Sequence, residues 1–175
     1  MEKRKYTQEI IFHCSATSEG KDIKAETVKQ WHIKDNKWQD CGYHFIIELD
    51  GTVKPMRDEV LVGAHCKNHN HNSIGICYIG GCDKTGKKAK DTRTEAQKLS
   101  MYKLVKELMI KYHIDITSVK CHNDYDKGKA CPSFDIYTFR SEFTTWLAGP
   151  QEKPKKTIKC PHCGGLINEE LLRSI

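Results

Sequence analysis

The stretch SIGICYIGG, residues 73–81, constrains the fold more than any other part of the chain. It is a near-continuous apolar run of strand length, rich in β-branched residues and bounded by glycines. Such a run reads as a strand buried on both faces, and a strand of that kind belongs inside a sheet with helices packed against it. A second β-branched run, Glu9 to His13, reads as another strand that closes on a histidine. In YHFIIELDGTVKPM two β-rich runs flank Asp50-Gly51, the composition preferred in hairpin turns.

Helical signals lie between these strands. AETVKQWHIKDNKW places Val28, Trp31 and Ile33 at the spacing of a short helix. TEAQKLSMYKLVKELMIKYH puts Leu99, Tyr102, Leu104, Val105, Leu108 and Met109 on a helical stripe, with Thr94 as its N-cap. SVKCH is a short strand ending on His122, and FDIYTFRSEFTTWL closes the main domain as an amphipathic helix. Strands and helices interspersed in this way predict an α/β domain with a mixed central β-sheet flanked by helices. The boundaries read as a main domain over 1–148, a Lys/Pro linker over 149–158 and a short CxxC appendage over 159–175.

Composition removes several classes. The apolar runs fall far short of the roughly 20 residues that span a bilayer, so membrane insertion is not expected. MEKRKYTQEIIFHCSAT has positive charge but no apolar core of a signal peptide, so synthesis in the cytoplasm is expected. The nine cysteines are odd in number and several sit in apolar runs, which favours reduced, buried thiols over a disulfide framework. The net charge of +6 suits an anionic partner, and from Gly149 onward five Lys/Arg stand against three Asp/Glu. No nucleic-acid-binding module signature is present, so nucleic acid is not expected as the partner.

Reduced thiols leave sulfur free to bind metal. Catalytic zinc takes three protein ligands and keeps one position for water. His13 closes the first strand, His122 closes the last, and Cys131 follows in a loop braced by Pro132, so these residues form a candidate His2Cys site. Composition alone leaves other triples open, because His65, His69 and His71 crowd the loop GAHCKNHNHNS.

The blocks IIFHCSAT, QWH, CGYHFIIELDGTV, RDE, VGAHCKNHNHNSIGICYIGG and KACPSFD occur in an order and spacing that resemble the zinc N-acetylmuramoyl-L-alanine amidases of phage, a family that also includes the peptidoglycan recognition proteins. The resemblance runs over residues 10–146. It implies zinc on His13, His122 and Cys131, and catalytic roles for Tyr43 in GYHFII and Lys129 in KAC. It also implies peptidoglycan as the partner, with hydrolysis of the amide between N-acetylmuramic acid and L-alanine by a phage or prophage endolysin. Such a protein would act on the cell wall after release from the cell. Nine positions separate His122 from Cys131, one more than in the phage pattern, and the extra residue falls in YDKGK beside Lys129.

His65, Asn70 and Asn72 occupy a polar loop before a buried strand, a suitable place for sugar or peptide contacts. Glu48, Asp50 and Asp58 read as a solvated edge, and His44 as facing away from Tyr43. In the tail, Cys160 and Cys163 of CPHCGG form a zinc-knuckle pair and a candidate second metal site. A structural site wants four ligands and no second pair follows, which leaves half a ribbon completed by another copy or a partner protein, a truncated ribbon, or a redox dithiol. The alternative to catalysis is a non-catalytic protein of the same fold that binds peptidoglycan or regulates a polymerase.

Overall fold

The computed structural model describes residues 1–149 and two short strands beyond them; Cys160 and Cys163 lie outside the described residues. In chain order the elements are β1 (Glu9–Cys14), β2 (Thr17–Ser18), α1 (Ala25–Gln30), β3 (Phe45–Ile47), β4 (Val53–Pro55), β5 (Ser73–Tyr78), β6 (Gly81–Cys82), α2 (Glu95–Tyr112), β7 (Val119–Cys121), α3 (His122–Tyr125), α4 (Ile136–Ala148), β8 (Thr157–Lys159) and β9 (Leu166–Asn168). The chain divides into two compact units, Met1–Phe143 and Thr144–Ile175. In the second, β8 and β9 pair antiparallel.

Five strands form the central sheet in the order β4-β3-β5-β1-β7. β5, the run SIGICY, is buried at every residue and lies between parallel neighbours β1 and β3. β4 alone is antiparallel, because it returns from β3 through the Asp50-Gly51 turn. Gly51 has a φ of 86°, a left-handed conformation that glycine adopts without a Cβ penalty. The mixed α/β architecture expected from the sequence is present.

The two sheet faces are filled differently. His13, Cys77 and Ile46 are register partners on one face, and Ile46 and Cys77 pack with Ala25 and Val28 of α1. On the other face Phe12 meets Phe139 of α4 at 4.7 Å between ring centroids, and Tyr102 of α2 meets the same Phe139 at 5.5 Å. Consecutive strand residues point to opposite sides. Phe12 is therefore committed to the core while His13 faces the other side near the strand's C-terminal end.

α2 begins as the sequence indicates. Thr94 Oγ1 accepts from the Gln97 N–H and Gln97 Oε1 accepts from the Thr94 N–H, both at 3.0 Å, a reciprocal capping box. The helical stripe is shifted from the expected one: Leu99 is 41% exposed, and Gln97 and Met101 take inner positions. Gln97 is tolerated inside because its Nε2 donates to the carbonyls of Ile47 and Ile79 at 3.2 and 3.0 Å. Glu48 corrects another expectation. It is buried, and its Oε1 accepts from the Ala25 N–H at 2.9 Å, tying the start of α1 to the end of the hairpin strand.

Candidate metal centre and cleft

β1 runs one residue beyond the expected strand, to Cys14, so His13 sits inside its last turn of pairing opposite Cys77. β7 ends at Cys121 instead of His122. The Asp124 carboxylate accepts from the Cys121 N–H at 2.8 Å and turns the chain helical, so His122 opens α3. Both histidines nonetheless stand at the C-terminal ends of neighbouring parallel strands, the usual place for a site in an α/β sheet.

The Cys131 loop is drawn to the same edge by three hydrogen bonds. The Asn123 N–H donates to the Cys131 carbonyl at 3.0 Å, the Tyr78 hydroxyl donates to the Pro132 carbonyl at 2.8 Å, and the Cys14 N–H donates to Cys131 Sγ at 3.3 Å. The Cys131-Pro132 peptide is cis. Residues 126–130 between His122 and Cys131 form an exposed stretch, and the two side chains stay together.

The result is one cluster. Ligating atoms of His13, His122 and Cys131 all lie within 4.8 Å of one another. His13 Nδ1 is 3.1 Å from His122 Nδ1 and 3.8 Å from Cys131 Sγ. Among the described residues no other such group of three occurs, so His69 and His71, open candidates from the sequence, are not part of one. Burial first, then the neighbouring imidazoles and the Lys129 charge, holds His13 well below the usual histidine range; burial and Lys129 also lower His122. Both rings are therefore neutral at pH 7 with a lone pair to offer. The adjacent Cys14 thiol and burial push the Cys131 thiol up, and a bound cation is the group that reverses such a shift.

Tyr43 lies next to this cluster, its ring centroid 5.1 Å from that of His13. Lys129 is exposed, with Nζ 3.8 Å from Asp126 Oδ2. A cleft of about 750 Å³ opens beside them, walled by His122, Tyr125, Asp126 and Lys129 on one side and by the 64–71 loop with Trp38 on the other. On that wall Tyr125 stacks on His69 at 3.6 Å and donates to Glu9 Oε1 at 2.6 Å.

The polar-loop residues separate. His65 lines the cleft but is 8% exposed, with Nδ1 3.0 Å from His13 Nε2. Asn70 shapes the loop: its Oδ1 accepts from the His65 and Cys66 N–H groups. Asn72 is not among the cleft residues; its carbonyl accepts from Gln8 and Glu9 at the start of β1. His44, just before β3, is buried with its ring 5.6 Å from that of His65 and accepts from the Gly75 N–H at 3.0 Å, so it backs the His65 ring instead of pointing away from the site. Sequence reasoning did not find the contact between His65 and His13; the signal available was the pair of glycines, Gly63 and Gly75, that make room for the ring.

Two imidazoles and one thiol gathered at the C-terminal ends of the strands, opening onto a polar cleft, are the donor set of a candidate metal site. The comparisons give the family. The N-acetylmuramoyl-L-alanine amidase model matches residues 3–134. The endolysin of Enterobacteria phage T3 is 45% identical over 133 residues, covering 76% of this chain and 85% of the relative. The endolysin of Escherichia phage T7 is 44% identical over 134 residues, covering 77% and 85%. Among solved structures, the endolysin amidase LysCS of Clostridium intestinale superposes with a TM-score of 0.65 at 27% identity, over 79% of this chain and 84% of that one. Drosophila PGRP-LB shares the fold, with a TM-score of 0.64 at 21% identity over 83% and 84%. The chain belongs to the N-acetylmuramoyl-L-alanine amidase family and is an enzyme of that class.

Proposed function

We propose that the chain is a zinc-dependent amidase of peptidoglycan, hydrolysing the amide that joins the lactyl group of N-acetylmuramic acid to L-alanine, and that it serves a phage or prophage as an endolysin. The observation that carries this reading is the convergence of His13, His122 and Cys131 in a chain of this family. Their spacing suits zinc. Zn–N bonds of about 2.0–2.1 Å and a Zn–S bond of about 2.3 Å at tetrahedral angles separate two nitrogens by about 3.3 Å and nitrogen from sulfur by about 3.6 Å. The corresponding separations here are 3.1 and 3.8 Å. Three protein ligands are the catalytic rather than the structural pattern. A zinc ion held there supplies Lewis acidity at the scissile carbonyl and lowers the pKa of a water to about 7.

The remaining chemistry falls to side chains. An amide resists attack because its carbonyl is a weak electrophile and its amine a poor leaving group. Attack makes a tetrahedral centre bearing negative charge. Lys129, on the cleft wall, places an ammonium beside that oxygen, and its charge already reaches both ligand imidazoles. Tyr43 contributes a hydroxyl whose pKa burial raises well above the usual phenol, so at neutral pH it donates and does not ionise. The Cys14 N–H on Cys131 Sγ stabilises the thiolate form that a ligand needs. The cleft receives the glycan and stem peptide, with Trp38 and Tyr125 offering aromatic surface and the 64–71 loop offering polar groups.

Mass spectrometry of purified cell wall after digestion tests the reading. The expected product is sugar-free peptide bearing a new L-alanine amine, lost on chelation or in His122→Ala. Wall binding by zinc-loaded protein with no bond cut would overturn it.

A further inference from the structure

We propose that His65 is a positioning residue for the metal centre: it accepts a hydrogen bond from the Nε2–H of His13 and thereby commits His13 to present Nδ1 to the ion. The inference rests on the zinc reading above, and it follows from a chain of contacts that has only one allowed direction.

Ser73 Oγ lies 2.5 Å from the His69 carbonyl, which can only accept, so the serine proton points there. Toward His65 the same oxygen then offers lone pairs alone. His65 Nε2, 3.5 Å away, is therefore the protonated nitrogen. That leaves His65 Nδ1 as an acceptor, and it sits 3.0 Å from His13 Nε2. His13 must carry its proton on Nε2, so its free lone pair is on Nδ1. Nδ1 is the atom that faces His122 Nδ1 and Cys131 Sγ. A backbone carbonyl in the cleft loop thus fixes, through two side chains, the tautomer of a histidine in the metal cluster. Outer partners of this kind orient ligands and raise their basicity.

The seat of His65 is built for the ring. A Cβ added at Gly75 would lie 2.5 Å from His65 Cγ, and one added at Gly63 would lie 2.5 Å from His65 Cδ2. Real Cβ atoms do not approach so closely, so both glycines exist here as space for the imidazole. The backbone of His65 is fixed as well, its N–H donating to Asn70 Oδ1 at 2.8 Å. The two rings meet edge-on, centroids 5.0 Å apart at 79°, which aims one nitrogen of each at the other.

The test compares zinc affinity, by competition with a chromophoric chelator, in wild type, His65→Ala and His65→Asn, together with imidazole nitrogen shifts of the zinc-loaded wild type. Asn keeps an acceptor oxygen near the place of Nδ1. His65→Ala is expected to weaken zinc binding about 10- to 100-fold and His65→Asn to recover most of it. The spectra are expected to show His13 protonated on Nε2. Equal affinity in wild type and a folded His65→Ala, or a His13 protonated on Nδ1 in the loaded protein, would overturn the proposal. A merely structural histidine would lower the stability of both variants alike and leave no affinity gap between them. If His65→Ala does not fold, His65→Asn and the wild-type spectra decide. A wild type that takes up no zinc overturns the metal reading itself, a result distinct from one in which zinc binds and the alanine variant binds it equally well.

Discussion

Tyr43 and His44 are neighbours in sequence just before β3, yet their rings meet different partners, His13 for the first and His65 for the second. Tyr43 stands beside His13, and its hydroxyl is held in the protonated form by burial and then by the surrounding thiols. As a donor to developing charge it should be worth what one such donor is usually worth. Tyr43→Phe is expected to lower kcat by about 10²–10³-fold, with zinc content and KM little changed. A phenylalanine variant as fast as wild type would remove Tyr43 from the chemistry. His44, by contrast, contributes to pH stability. Its Nδ1 accepts from Gly75, its Nε2 faces the Leu61 carbonyl at 3.0 Å, and burial lowers its pKa to about 4. The unfolded chain keeps a histidine near its ordinary value of 6.5. Above that pH the two states bind equal protons here; as pH falls toward 4 the unfolded state takes a proton that the folded one refuses. About 3 kcal/mol of stability is therefore lost over this window. Urea midpoints of metal-free protein should fall between pH 6.5 and 4, and His44→Gln should flatten that slope.

At the scale of elements, the sheet was legible because its signals are local: β5 is a glycine-bounded apolar run, and the β3–β4 hairpin has its Asp-Gly turn. Thr94 marked the start of α2 for the same reason. What was not legible depended on contacts between elements. Gln97 reads as a polar helix residue until two strand-end carbonyls are seen to need its amide, and Glu48 reads as solvated until the first N–H of α1 is found on it. The positions of His13, His122 and Cys131 at strand ends and in a loop could be anticipated; their separations could not, because they depend on the Asn123, Tyr78 and Cys14 bonds that pull in the loop. The contact of His65 with His13 is not legible either, because the sequence gives the loop but not the direction the ring points. Gln97→Leu gives a measure of this cross-element bonding. It leaves the Ile47 and Ile79 carbonyls without that donor and removes the half of the capping box in which Gln97 Oε1 accepts from the Thr94 N–H, so the unfolding free energy should fall by about 2–4 kcal/mol. Urea unfolding would show this, and a midpoint shift of a few tenths of a kcal/mol or less would mean that water replaces the amide at no cost.

For the whole molecule, every residue assigned to the cluster, the cleft and the positioning chain falls within Met1–Phe143, and the family match ends at residue 134. The last part of that unit is anchored through Phe139 and Phe143 of α4, both buried. Cutting the chain inside α4 would strip this packing, whereas cutting after Gly149 keeps the helix through Ala148. Among the described residues no helix is long and apolar enough to cross a membrane. A chain ending at residue 149 should therefore fold, bind one zinc and release stem peptide at the rate of the full chain. Metal counting on both forms then gives the tail's share directly. Equal zinc in both would leave Cys160 and Cys163 without metal, and an extra equivalent in the full chain would assign it to them. If the truncated form instead loses zinc at the first site or cleaves far more slowly while staying folded, the division into an amidase domain and an independent appendage is wrong, because the tail would then be helping to build the cleft.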